Sequence, residues 1–244
     1  MRFGRRVDTD AWPGKARSSG GGVHRYVVIE GLIGVGKTTL ARLLQRDRAA
    51  ELVLEPHEDN PFLEPFYRDP QRYALPVQMY FLLTRWRQID RIRQLALFTP
   101  WVVSDYCFEK DRLFAEKTLT EDELALYDRF ASTLGEKVPA PDLVIVLTAP
   151  TSVLLERIRR RAVPGEERIN RSYIEDLATR YEKLWGGWSR CPLLFVDNAE
   201  LDYAADPDAR VEVLRRIDAA IAGHAAAAPV ADAAQPSLFD RPVA

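Results

Sequence analysis

Three glycines, a lysine and a threonine carry the first chemistry in this chain, in the run Gly31-Leu32-Ile33-Gly34-Val35-Gly36-Lys37-Thr38-Thr39. The spacing is Gly-x-x-x-x-Gly-Lys-Thr, and it follows the β-branched run Tyr26-Val27-Val28-Ile29-Glu30. A strand, this loop and then a helix make a phosphate-binding P-loop. Gly31, Gly34 and Gly36 let the backbone wrap so that successive N–H groups point at one anion. The helix that starts near Lys37 adds its positive N-terminal end. Lys37 can reach the β- and γ-phosphates, Thr38 can ligate Mg²⁺, and Thr39 lies in the same cradle. The chain is expected to bind a nucleoside triphosphate.

Two acids sit where such a loop would need them. The run Leu54-Glu55-Pro56 ends a second strand, and Ser104-Asp105-Tyr106 ends a third. Ligands of open parallel sheets gather at the carboxyl ends of the strands. A carboxylate at Glu55 can take a proton from an attacking hydroxyl. Asp105 can hold Mg²⁺ through water. Each also fits a blander role, as a loop-capping Glu or a turn-initiating Asp. Gln78 and Arg85 are seven residues apart, on one face of a helix. A Gln reads a base edge through its paired donor and acceptor, and an Arg–carboxylate pair can read the same ring. Glu156-Arg157-Ile158-Arg159-Arg160-Arg161 enters Ala162-Val163-Pro164-Gly165-Glu166-Glu167. A basic cluster at a Pro/Gly hinge suits a closing lid that neutralises charge on a transferring phosphoryl group.

These residues need a scaffold, and the apolar runs provide one. Strand-like runs recur at Tyr26–Glu30, Leu52–Leu54, Trp101–Asp105, Leu143–Thr148 and Leu193–Val196. Helical patterns separate them at 37–47, 61–68, 75–97, 109–117, 121–135, 152–161, 171–186 and 208–222. Pro150-Thr151-Ser152 and Asn170 mark the starts of the sixth and seventh helices. Such alternation argues for a parallel sheet of five strands with helices on both faces. The 244 residues, 47% hydrophobic, suffice for one α/β domain, expected over 24–222. Residues 1–23 read as a flexible Arg- and Gly/Ser-rich extension, and 223–244 as a disordered Ala/Pro-rich tail. A net charge of −2 gives no global pull toward nucleic acid or an anionic membrane. No stretch is apolar enough to span a bilayer, and none resembles a secretory signal. Cys107 and Cys191 have no metal-like or paired spacing, which fits bystander thiols in a reducing cytoplasm.

Together these residues resemble the deoxynucleoside kinases, most closely the bacterial deoxyadenosine/deoxyguanosine kinase branch, over roughly residues 25–220. Ile29-Glu30-Gly31 to Thr39 looks like the family P-loop, and Leu54-Glu55-Pro56 like its Glu-Pro motif. The resemblance implies a P-loop kinase fold with an Arg-rich lid, and Glu55 as general base for the 5′-hydroxyl. It implies Tyr67 at the sugar, and Gln78, Arg85, Asp111 and Phe114 around the base. Lys37, Arg157 and Arg161 would hold phosphoryl charge, and Glu166 would reach the 3′-hydroxyl. ATP and Mg²⁺, with Thr38 and Asp105 as metal residues, follow from the same likeness, as does a cytoplasmic homodimer built on 75–97 and 121–135. Two positions depart from the family pattern. An Arg is usual after the strand-three acid, where Tyr106 and Cys107 stand, so its task falls to Lys110 or Arg112 or is lost. A further lid Arg is usual where Val163 stands, leaving Arg159, Arg160 or Arg168 as substitutes.

The leading expectation is ATP-dependent 5′-phosphorylation of a deoxynucleoside, with a purine preferred. A thymidylate-type monophosphate kinase shares the loop, lid and strand-three acid. It usually carries an Arg beside the Glu-Pro pair, where Leu54 and His57 stand instead. The absence of an Asn-Lys-x-Asp run argues against a GTPase. A third reading is a nucleotide-binding interaction protein with weak kinase activity. Gln235, Leu238 and Phe239 in the tail resemble the short peptides that dock on a bacterial sliding clamp.

Overall fold

A computed structural model of the chain describes residues 25–56, 59–135 and 138–224. The clamp-like run at Gln235, Leu238 and Phe239 and the expected N-terminal extension lie outside the described residues. Five parallel strands form one sheet in the order β2-β3-β1-β4-β5. They are β1 (Arg25–Gly31), β2 (Glu51–Val53), β3 (Trp101–Ser104), β4 (Leu143–Thr148) and β5 (Leu193–Asp197). In β4 every side chain is buried, and Leu143 to Leu147 have no exposed surface. A continuous Val/Ile/Leu run is what a strand covered on both faces requires.

Helices α1 (Lys37–Arg48), α2 (Leu63–Arg68), α3 (Pro70–Phe98), α4 (Lys110–Thr118), α5 (Glu121–Gly135), α6 (Thr151–Arg161), α7 (Arg171–Gly186) and α8 (Pro207–His224) connect and flank the strands. The β1–α1–β2 crossover runs one way along the sheet and the later crossovers run the other. Right-handed connections therefore put α1 on one face and α3 to α7 on the opposite one. The last helix, α8, joins α1, with Arg48 of α1 donating to Asp218 of α8 at 2.5 Å. Leu40 and Leu44 of α1, Val213 and Ile217 of α8, and Ile174, Leu177 and Tyr181 of α7 enclose the sheet in one apolar core.

The elements follow the sequence expectation with three differences. Asn60 accepts from the Phe62 N–H at 3.0 Å, and this local turn delays α2 to Leu63. Asp69 caps α3 by accepting from the Arg72 N–H, with Pro70 in the first turn, so the helix begins five residues before 75. Pro76 therefore lies inside α3. A short 3₁₀ turn at Glu166–Arg168, absent from the sequence expectation, closes the lid segment onto α7. No helix of the described residues is long and apolar enough to cross a membrane.

Asn170 caps α7, accepting from the Tyr173 N–H at 2.9 Å. Asn170→Ala should lower unfolding free energy by about 1 kcal/mol in a denaturant titration. An unchanged midpoint would show that the cap carries no stability.

Candidate active site

Because all five strands are parallel, their carboxyl ends share one rim, and the residues that follow them converge there. A cleft of about 580 Å³ opens at this rim. It is lined by Gly31, Gly34, Gly36, Lys37, Thr38 and Thr39 after β1, Glu55 after β2 and Asp105 after β3. From the helical face it receives Tyr67, Gln78, Arg85 and Phe114, and from the lid Arg157, Arg161 and Glu166.

At the P-loop, Gly31 has φ +144° and a Cβ there would stand 2.4 Å from the Leu147 carbonyl oxygen. Only glycine lets the loop pass β4 that closely. Lys37 folds over the loop and donates to the Gly31 and Leu32 carbonyls at 2.8 and 3.1 Å. Burial, followed by the nearby Lys110 ammonium, lowers the Lys37 pKa from 10.5 to about 8. Thr38 donates to Asp105 Oδ2 at 2.8 Å, which sets two hard oxygen donors side by side at the loop. The other Asp105 oxygen accepts from the Glu55 N–H at 2.8 Å. One aspartate thus ties the ends of β2 and β3 to the P-loop.

Glu55 is gripped from two elements. Arg85 of α3 bonds Oε1, and Lys110 of α4 donates to Oε2 at 2.8 Å. Each Glu55 oxygen thus accepts from a different cation. Arg85 is 4% exposed and pairs on its other edge with Asp111. Its guanidinium lies 4.9 Å from the Phe81 ring centre and 5.5 Å from that of Tyr106. Asp111 itself does not line the cleft. It is buried and pairs with Arg85, the partnership that the resemblance implies for it beside the pocket.

The α3 end of the cleft is a polar step on an apolar wall. Gln78 donates to Thr118 Oγ1 at 3.1 Å, and Thr118 donates in turn to the Phe114 carbonyl at 2.8 Å. The Thr118 proton is therefore committed, which fixes which end of the Gln78 amide faces it. At the lid, Arg161 Nε donates to Glu166 at 2.7 Å. Arg168 donates to the Tyr67 and Arg68 carbonyls at 3.1 and 3.3 Å and docks the lid on α2. Arg157 donates to the Val35 and Asn198 carbonyls at 3.4 and 3.2 Å.

The two departures from the expected pattern resolve in space. Arg112 turns away to Asp128 and Glu116, whereas Lys110 enters the cleft. Among the three substitutes for a lid cation at Val163, Arg160 lines the cleft, Arg159 bonds its own helix and Arg168 serves as the lid anchor. Sequence reasoning missed Glu30, Thr118, Asn198 and Tyr203. Glu30 is fully buried and accepts from the Gly31 and Cys107 N–H groups at 3.1 and 2.7 Å and from Tyr181 at 3.1 Å. A lone acid inside an apolar strand was its signal. Asn198 and Tyr203 support the P-loop carbonyls of Val35 and Gly36. Asn198 follows β5, so the same strand-end rule that marks Glu55 and Asp105 points to it.

A family model described as deoxynucleoside kinase matches residues 27–222. The chain belongs to the deoxynucleoside kinase family. This deoxynucleoside kinase is 36% identical over 159 residues to the deoxyguanosine kinase of Bacillus subtilis (strain 168), covering 64% of this chain and 76% of that one. It is 28% identical over 202 residues to the deoxyadenosine/deoxycytidine kinase of the same strain, covering 80% and 92%. The structure of deoxyadenosine kinase from M. mycoides with bound dATP aligns with a TM-score of 0.68 at 25% identity, covering 80% of this chain and 98% of that one. The fold of the kinase is therefore that of a P-loop α/β phosphotransferase, and its cleft is that of a nucleotide-binding enzyme.

Two outcomes test the geometry of the kinase cleft. Lys37 loses its proton near pH 8 in the free enzyme, and its charge attracts phosphate. ATP affinity measured by calorimetry should fall as pH rises through about 8, and a flat profile to pH 9.5 would contradict the assignment. Gly165 has φ +90°, and a Cβ there would stand 2.6 Å from Tyr67 Cδ2. Gly165→Ala should displace the lid from Tyr67 and raise the KM for nucleoside about tenfold. An unchanged KM would remove Tyr67 and the lid from nucleoside binding.

Proposed function

We propose that the chain transfers the γ-phosphoryl group of ATP to the 5′-hydroxyl of a purine deoxynucleoside, with Glu55 as the general base. The observation that carries this reading is the position of Glu55. Its carboxylate stands at the end of β2, in the same cleft as the P-loop and the polar pair Gln78 and Arg85. ATP on the loop and a nucleoside on α3 would meet there. The 5′-oxygen attacks the γ-phosphorus as its proton passes to Glu55, and ADP departs with the electron pair of the broken bond. Lys37, Arg157, Arg160 and Arg161 offer positive charge along the phosphate side of the cleft.

Thr38 and Asp105 suit Mg²⁺, which takes few protein oxygens and shares phosphate oxygens with them. When bound, the ion would neutralise charge across the β- and γ-phosphates. Tyr67 and Glu166 flank the sugar position in this reading, since the Gly165 backbone packs directly on the Tyr67 ring. The purine preference rests on the donor–acceptor pair of Gln78 beside the aromatic wall of Phe81 and Phe114. The names of the similar deoxyguanosine and deoxyadenosine/deoxycytidine kinases support the same choice. A homodimer through α3 and α5 is supported by Leu83, Leu126 and Phe130, which are 43%, 43% and 46% exposed on those helices.

Assayed with ATP-Mg²⁺ against the four deoxynucleosides, the enzyme should phosphorylate deoxyguanosine or deoxyadenosine fastest. Glu55→Gln should lower kcat by about 10²–10⁴-fold. Faster turnover of thymidine or thymidine monophosphate would overturn the substrate assignment. Leu126→Glu with Phe130→Glu should yield monomers in analytical ultracentrifugation, and an unchanged sedimentation coefficient would place any interface elsewhere.

A further inference from the structure

Glu55 presents a difficulty for its own chemistry. Both of its oxygens accept bonds from cations, Oε1 from Arg85 and Oε2 from Lys110. A carboxylate held on both oxygens has little basicity to offer an incoming hydroxyl until one partner withdraws. The two partners differ in their freedom to do so. Arg85 is clamped by Asp111 on one edge and packed against Phe81 and Tyr106. Lys110 carries a single ammonium on an unbranched stem with rotatable donors.

Its surroundings give that ammonium somewhere to go. Lys110 springs from the first turn of α4 and lies 3.7 Å from Glu30 Oε1 and 5.9 Å from the Tyr106 ring centre. Glu30 cannot follow it, because three donors already fix its two oxygens. Lys110 also lines the same cleft as Lys37 and Thr38, close enough that its charge lowers the Lys37 pKa. An anion arriving on the P-loop would relieve the repulsion between these two ammonium groups. Tyr106, at the end of β3, contributes a neutral ring and no charge, so Lys110 is the cation that this part of the chain brings to the reaction.

We propose that Lys110 is a catalytic residue that exchanges partners during the reaction. It holds Glu55 Oε2 in the free enzyme and moves to a γ-phosphoryl oxygen when the 5′-hydroxyl takes its place on Glu55. The proposal rests on the reading of Glu55 as the base. The 5′-oxygen then bonds to phosphorus, the bond from phosphorus to the bridging oxygen breaks, and ADP keeps the electron pair. The hydroxyl proton ends on Glu55 Oε2, and Lys110 keeps its own proton throughout.

Lys110→Met removes the charge at nearly constant length, and Lys110→Arg keeps it. Folding of each variant is checked by thermal melting and by ATP binding through tryptophan fluorescence. Lys110→Met should lower kcat about 100-fold or more with the nucleoside KM within about threefold of the parent. Lys110→Arg should keep at least about a tenth of the parent kcat. If Lys110→Met does not fold, Lys110→Gln takes its place in the same comparison. A neutral variant within threefold of parent kcat overturns the proposal, as do neutral and Arg variants that are equally impaired. Glu55→Gln measured alongside separates the two readings. Loss there with full activity in Lys110→Met defeats only the role of Lys110, whereas full activity in Glu55→Gln defeats the base assignment itself.

Discussion

The buried ionic chain Glu30–Lys110–Glu55–Arg85–Asp111 is the constraint on which the rest of the site depends. Three carboxylates alternate with two cations, all but Glu55 nearly removed from solvent. Such burial is expensive in desolvation unless every charge meets a partner, so the five side chains must be placed together. They come from β1, the end of β2, α3 and α4. The chain therefore locks the sheet rim to the helical face that carries Gln78. It also leaves local negative charge beside the P-loop, against which Lys37 and the lid arginines are set.

The sheet order makes this placement possible. With β1 at the centre, the P-loop lies between the ends of β3 and β4, and Asp105 reaches both Thr38 and the Glu55 backbone. The lid closes the opposite wall through Arg168 on α2 and Gly165 on Tyr67. The P-loop, the Gln78 face of α3 and the Tyr67–Gly165 corner are thus contributed by separate elements that meet because all strands point the same way.

Much of this was legible in the chain. The P-loop announces itself because its glycines, lysine and threonine are adjacent in sequence and act locally. Glu55 and Asp105 are legible because strand ends in a parallel sheet share a rim. Gln78 and Arg85 are legible from a seven-residue spacing, and both prove 4% exposed on one face of α3. Lys110 was one of two options, since it and Arg112 lie about half a helical turn apart on opposite faces of α4 and only packing decides which faces inward. The pairing of Asp111 with Arg85 followed from the resemblance alone, since 26 residues separate them and only the packing of α4 on α3 brings them together. The start of α3 lies earlier than expected because the Asp69 cap and Pro70 initiate the helix there. Glu30 and Thr118 escaped notice because their partners, Cys107, Tyr181 and Gln78, are distant in sequence.

The most direct test of the central claim is a crystal structure with a purine deoxynucleoside and a non-hydrolysable ATP analogue bound together. With Glu55 as the base, the 5′-oxygen should lie about 2.6–3.2 Å from one Glu55 carboxylate oxygen, with Arg85 still on the other. A 5′-oxygen directed at a different acid, or a nucleoside seated away from Gln78 and Glu55, would contradict it.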